Sequence, residues 1–196
     1  MKTRCLATMF AIAGASLCAG QSGMAPKATV TVCMEFNQQV LADVRPLTSA
    51  MFASVGVRID WRERNSCPVG ASAIDVSLSH DLSNVRGASF SALAFARPYD
   101  RTIVIFLDRV QKLNRSGVRS LLAQVLVHEI THVLQGVNRH SATGIMKAHW
   151  NDSDYFEMRR RPLPFAPEDV NLIYDGLEIP RVATAAMVAQ GAVAGQ

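Results

Sequence analysis

The sequence predicts a single α/β domain, in which a mixed, mostly parallel twisted sheet of four to five strands packs on two helices and a further helix follows near the C-terminus. Three observations carry this expectation. A chain of 196 residues that is 49% hydrophobic is the size of one ordinary domain and can bury a real core. Apolar residues recur with period two in several short segments and with helical spacing in two longer ones. These segments follow one another as strand, helix, four strands and a long helix, so both element types contribute to one layered core.

The first twenty residues, MKTRCLATMFAIAGASLCAG, read as a secretory signal peptide over 1–20. Lys2 and Arg4 precede an apolar run from Cys5 to Ala15, and Ala19 and Gly20 supply the small residues of a cleavage point. The run is too short to span a bilayer comfortably. Its removal takes Lys2 and Arg4 and no acidic residue, so the formal charge falls from +4 to +2. That modest balance makes no case for nucleic acid, and no stable membrane insertion is expected after cleavage. The expected location is secreted or periplasmic. Cleavage also leaves two of the four cysteines, Cys33 and Cys67, an even pair in an oxidising compartment, which reads as one disulfide.

Within the expected domain, 21–180, Ala28 to Phe36 alternates as a strand, and Gln39 to Ser54 has helical spacing, with Pro46 near the first turns and Gly56 as terminator. Val57 to Glu63 and Ile74 to His80 are two further strands, separated by a loop carrying Cys67, Pro68 and Gly70. Ser89 to Arg97 is a weaker strand suited to a sheet edge before Pro98, and Thr102 to Leu107 (TIVIFL) is a buried strand. The long helix runs from about Gly117 to Leu134, with an apolar stripe from Val118 to Val133. A loop from Gly136 to Trp150 follows. Next come a polar stretch with Arg159, Arg160 and Arg161, which reads as solvated, and a short helix opened by Pro167 that runs through Leu177. Residues 181–196, rich in Ala, Val and Gly, are expected to be a tail outside the packed domain.

Four of the five histidines lie between residues 128 and 149, and His128, Glu129 and His132 form H-E-x-x-H on the long helix. Residues four apart stand one turn above each other, so both imidazoles can reach one tetrahedral zinc while Glu129 can serve as general base to a water. A catalytic zinc takes three protein ligands, and His140 and His149 are the candidates for the third. Gly136 sits where the helix must stop and the chain turn back, which can bring His140 under the metal. Thr131 and Gln124 flank the motif and are candidates for orienting its ligands. Trp150 reads as a packing anchor, and His80 as a surface residue.

The run from His128 to Met146, HEITHVLQGVNRHSATGIM, resembles the signature of the metzincin zinc metallopeptidases: a helical histidine pair, a glycine turn, a third histidine and a methionine turn. The element order over about residues 28 to 179 is similar to that family's catalytic core. HS-x-x-GIM followed by Trp150, with Phe165, Pro167 and Glu168 opening the last helix, resembles small exported bacterial proteins of that type. The resemblance implies Zn2+ as cofactor, His128, His132 and His140 as ligands, Glu129 as catalytic base, Met146 as a structural floor and a peptide or protein as substrate. The chain departs from the pattern where Gly136 and His140 follow His132 by four and eight residues instead of three and six. Ala148 occupies the place of a metal-contacting tyrosine, leaving Tyr155 farther along.

Two other functions use the same residues. One is a zinc amidase acting on cell-wall or small-molecule amides. The other is an exported, non-catalytic domain with a structural zinc closed by a fourth ligand such as His149. Substrate preference and oligomeric state leave no mark in the sequence.

Overall fold

The structure, a computed structural model, describes residues 26–35, 39–68, 72–79, 91–113 and 117–178. The expected leader (1–20), the tail (181–196), His80, Phe36 and the first residues of the predicted edge strand lie outside them.

The described residues form five strands and five α-helices. They are β1 (Ala28–Met34), α1 (Gln39–Ala53), β2 (Val57–Glu63), β3 (Ile74–Ser79), β4 (Ala94–Arg97), β5 (Thr102–Phe106), α2 (Leu107–Leu113), α3 (Val118–Gln135) and α4 (Asp152–Met158). A helix over 167–178, α5, completes the described chain. The sheet order is β2-β1-β3-β5-β4. Every pairing is parallel except β4 with β5, so β4 is an antiparallel edge strand. The β1-α1-β2 crossover explains the first parallel pair, since parallel neighbours need a long connection while β4 and β5 need only a tight turn. Arg101 closes that turn in the left-handed region, φ 51°.

The helical layer lies against the sheet, with α1 against β2 and α3 against β4 and β5, and α1 and α3 packed on each other. The predicted stripe on α3 understates its burial: every residue from Leu121 to Gln135 is buried. A helix covered all round is a central one. Its polar residues are therefore placed in a desolvated interior.

Cys33 and Cys67 form a disulfide that ties β1 to the loop after β2, as the cysteine count suggests. Two short helices depart from the sequence reading. Leu107 opens α2 instead of closing β5, with Asp108 favourably placed in the first turn. The polar stretch after Trp150 forms α4, which is closed at its start by a reciprocal capping box between Asn151 and Asp154. Arg159 and Arg160 stack on Phe156 and Arg161 pairs with Glu157, so the basic run belongs to a solvated surface. Among the described residues no helix is long and apolar enough to cross a membrane.

Candidate metal centre

On α3, His128 and His132 stand one turn apart, their ring centroids 4.7 Å from each other. The Nδ1 of His128 lies 2.9 Å from the carbonyl oxygen of Ile145, and the Nδ1 of His132 lies 3.1 Å from that of Val137. A carbonyl only accepts, so in neutral rings each Nδ1 carries the proton and each Nε2 presents a lone pair. The two Nε2 atoms are 3.0 Å apart. With both protons committed to Nδ1, that contact sets lone pair against lone pair, a repulsive arrangement that a shared cation relieves. A tetrahedral zinc with Zn–N of about 2.0–2.1 Å places two ligand nitrogens about 3.3–3.4 Å apart, close to the observed separation.

His140 joins the pair by way of the turn after α3. Gly136 takes the left-handed conformation, φ 68°, and its N–H caps the Val133 carbonyl. The chain then folds back so that the His140 ring sits 5.3 Å from His128 and 5.0 Å from His132 between centroids. One ring nitrogen from each of the three lies within 4.8 Å of the others. His149, the rival third ligand, lines the same cleft but stands outside this group.

Electrostatics suit ligation. Burial, reinforced by the neighbouring His132 and opposed by the hydrogen bond to Ile145, pushes His128 down to about 3. Burial pushes His132 down to about 4 against its hydrogen bond to Val137, and His140 is also lowered, by burial and by His149. The rings are therefore neutral near pH 7, the form that binds a metal. Beside them, burial pushes the Glu129 carboxyl up to about 8, opposed by a hydrogen bond from the Ala96 backbone on the edge strand. A carboxyl that titrates near neutrality is matched to taking and returning a proton.

The group opens into a cleft of about 840 Å³. Its walls are the edge strand from Leu93 to Ala96, the segment from Lys147 to Trp150, Tyr155 of α4 and, from α2, Arg109, Lys112 and Leu113. Trp150 packs edge-on against the His128 ring at 5.5 Å, consistent with an anchor. Met146 is wholly buried, and its carbonyl accepts the Ser141 N–H at 2.8 Å, closing the turn. Gly144 permits that turn: its φ is 73°, and a Cβ there would meet the Pro164 carbonyl oxygen at 2.3 Å. Ala148 is exposed and offers no polar side chain.

Thr131 and Gln124 do not orient the histidines. Thr131 donates to Val127 one turn back and Gln124 accepts from the Leu163 backbone, while main-chain carbonyls hold both rings. Sequence reasoning passed over the residues that hold the His140 turn, namely Arg139, Ser141 and Asp169. Glu168, already singled out beside Pro167, is the one local signal pointing toward them.

No protein-family model matches the sequence, and no curated protein matches it. Among solved structures, the archaemetzincin of Methanopyrus kandleri is similar with a TM-score of 0.52 at 14% sequence identity, over 78% of this chain and 96% of that one. At that identity the likeness is one of architecture. The chain has an archaemetzincin-like fold, and at its centre three histidines are grouped so that they could hold a metal ion.

Proposed function

We propose that the chain is an exported zinc metallopeptidase that hydrolyses peptide bonds with Glu129 as general base and His128, His132 and His140 as metal ligands. The observation that carries this reading is the pair of neutral rings whose Nε2 lone pairs face each other at 3.0 Å, with His140 completing the group and Glu129 beside it. A zinc ion held there supplies Lewis acidity, which acidifies water and polarises a carbonyl. Among the described residues the group offers three ligands, which supports an open coordination position over a closed structural site.

The chain's own residues divide the remaining work. Edge strand β4 lines the cleft, and its outward main-chain groups can pair with an extended peptide as an added strand. Ile145 and Val137 keep the ligating rings in one tautomer. The Glu129 carboxylate accepts a proton from the attacking water and delivers it to the leaving amine nitrogen. Burial favours the first of these transfers, because a buried carboxylate binds a proton more strongly than an exposed one. The expected signal peptide over 1–20 and the disulfide support a location outside the cytoplasm.

The test is a mixed peptide library incubated with zinc-loaded residues 21–196 and with the Glu129→Ala variant, with products read by mass spectrometry. Cleavage by the parent chain alone, with zinc retained by both proteins, is the expected result. Zinc retention without cleavage by either would reject peptide hydrolysis.

A further inference from the structure

We propose that Asp169 is a positioning residue for the third ligand: it clamps the turn carrying His140 from both sides and thereby raises the metal affinity of the centre. This rests on the metal-centre reading above.

Asp169 lies in the first turn of α5 and is fully buried. Its Oδ1 accepts hydrogen bonds from Ser141 Oγ at 2.6 Å and from Arg139 Nη1 at 3.1 Å. Arg139 Nη2 also reaches Glu168 Oε1 at 3.0 Å, and Arg139 Nη1 reaches Ser141 Oγ at 3.3 Å. The Asp169 carbonyl accepts from the side chain of Gln135, the last residue of α3, at 3.2 Å. One short stretch of α5 thus grips the residue before His140, the residue after it and the helix end from which the turn departs. The Ser141 N–H in turn bonds the Met146 carbonyl, next to the Ile145 carbonyl that orients His128.

The physical need for such a clamp lies in the turn itself. His140 follows His132 by eight residues and is exposed, and among the described residues no hydrogen bond holds its ring. A ligand on a loose turn must be ordered when the metal arrives, at a cost to affinity; a turn ordered beforehand avoids it. A buried carboxylate is itself costly unless paired with charge and hydrogen-bonded. Arg139 and Ser141 supply both to Asp169, so the network does not tolerate loss of one member silently.

The experiment measures zinc affinity by competition with chromophoric chelators for Arg139→Gln, Ser141→Ala and Asp169→Asn, each made in the parent chain and in a His140→Ala background. Metal-free thermal unfolding is recorded beside it. With His140 present, Arg139→Gln and Asp169→Asn should weaken zinc binding about ten- to hundredfold, the usual effect of losing an outer-shell partner. Without His140 the same changes should alter affinity by no more than about twofold, because the clamp then has no ligand to place. Arg139→Lys should restore part of the loss. If Asp169→Asn does not fold, Arg139→Gln carries the test, since that side chain is 38% exposed. Equal losses in both backgrounds would reduce the network to a fold-stabilising element and overturn the proposal, as would unchanged affinity with His140 present. A parent chain that binds no zinc would overturn the metal centre itself, an outcome distinct from either.

Discussion

Replacing Glu129 by Gln should stabilise the metal-free protein while removing its base. Burial holds the Glu129 carboxyl up to about 8 in the folded chain, against an ordinary 4.5. Below pH 4.5 the group is protonated in folded and unfolded chains alike and sets no difference between them. As pH rises from 4.5 toward 8, the unfolded chain gives up the proton while the folded chain retains it, so stability falls with pH and the loss is complete above the folded value. At about 1.4 kcal/mol per unit, the deficit is about 3 kcal/mol at pH 7 and approaches about 5 kcal/mol above pH 8. Gln has nearly the same shape, cannot ionise, and its carbonyl can accept the Ala96 N–H in place of the carboxylate. A domain of this size gains about 2–4 °C in Tm per kcal/mol, so the variant should melt roughly 6–12 °C above the parent at pH 7. Scanning calorimetry of chelator-treated proteins from pH 4.5 to 9 checks this. A difference that is absent, or that does not grow with pH, would refute the burial argument. Added zinc should shrink it, because a nearby cation favours the carboxylate.

Other consequences are independent of that one. His140→Ala should weaken zinc binding by at least about tenfold while His149→Ala changes it little, and the reverse order in a chelator competition would transfer the third-ligand role to His149. Breaking the Cys33–Cys67 bridge, which spans 34 residues, should cost about 4 kcal/mol by chain entropy; two free thiols in the denatured, unreduced protein would mean that the bridge does not form. Gly176→Ala would place a Cβ 1.8 Å from the Leu134 carbonyl oxygen, so α5 must shift off α3 at a cost of about 1–3 kcal/mol or more; an unchanged Tm would contradict that close approach.

The parts of this fold legible in the sequence are those whose signal is local. The period-two run at Ala28, the continuous apolar run at Thr102, the apolar helix through His128 and the glycine after Gln135 each declare themselves within a few residues. The two short helices were hidden for a different reason. Two turns carry too little apolar periodicity to register, as in α2, and the capping box of Asn151 and Asp154 was the only mark of α4. Burial all round α3 could not be read either, because it depends on what covers the face opposite the stripe.

The site divides along the same line. His128, Glu129 and His132 are visible because helix geometry alone brings them together, and His140 is reachable because Gly136 announces the turn. Asp169, which holds the turn, lies 28 to 34 positions from the residues it bonds, and nothing in the spacing of Arg139, Ser141 and Asp169 connects them. Orientation of the rings is hidden more deeply still, since Ile145 and Val137 act through their carbonyls and any residue that preserves the backbone would supply the same acceptor. It follows that substitutions at these two side chains should be tolerated by the metal site, whereas Gly144→Ala, by forcing the backbone away from Pro164, should disturb the tautomer and ligation of His128 without touching a ligand. NMR of the metal-free imidazoles, which reports which nitrogen of each ring carries the proton, distinguishes the two: a His128 tautomer unchanged in Gly144→Ala would show that the turn is not what orients it.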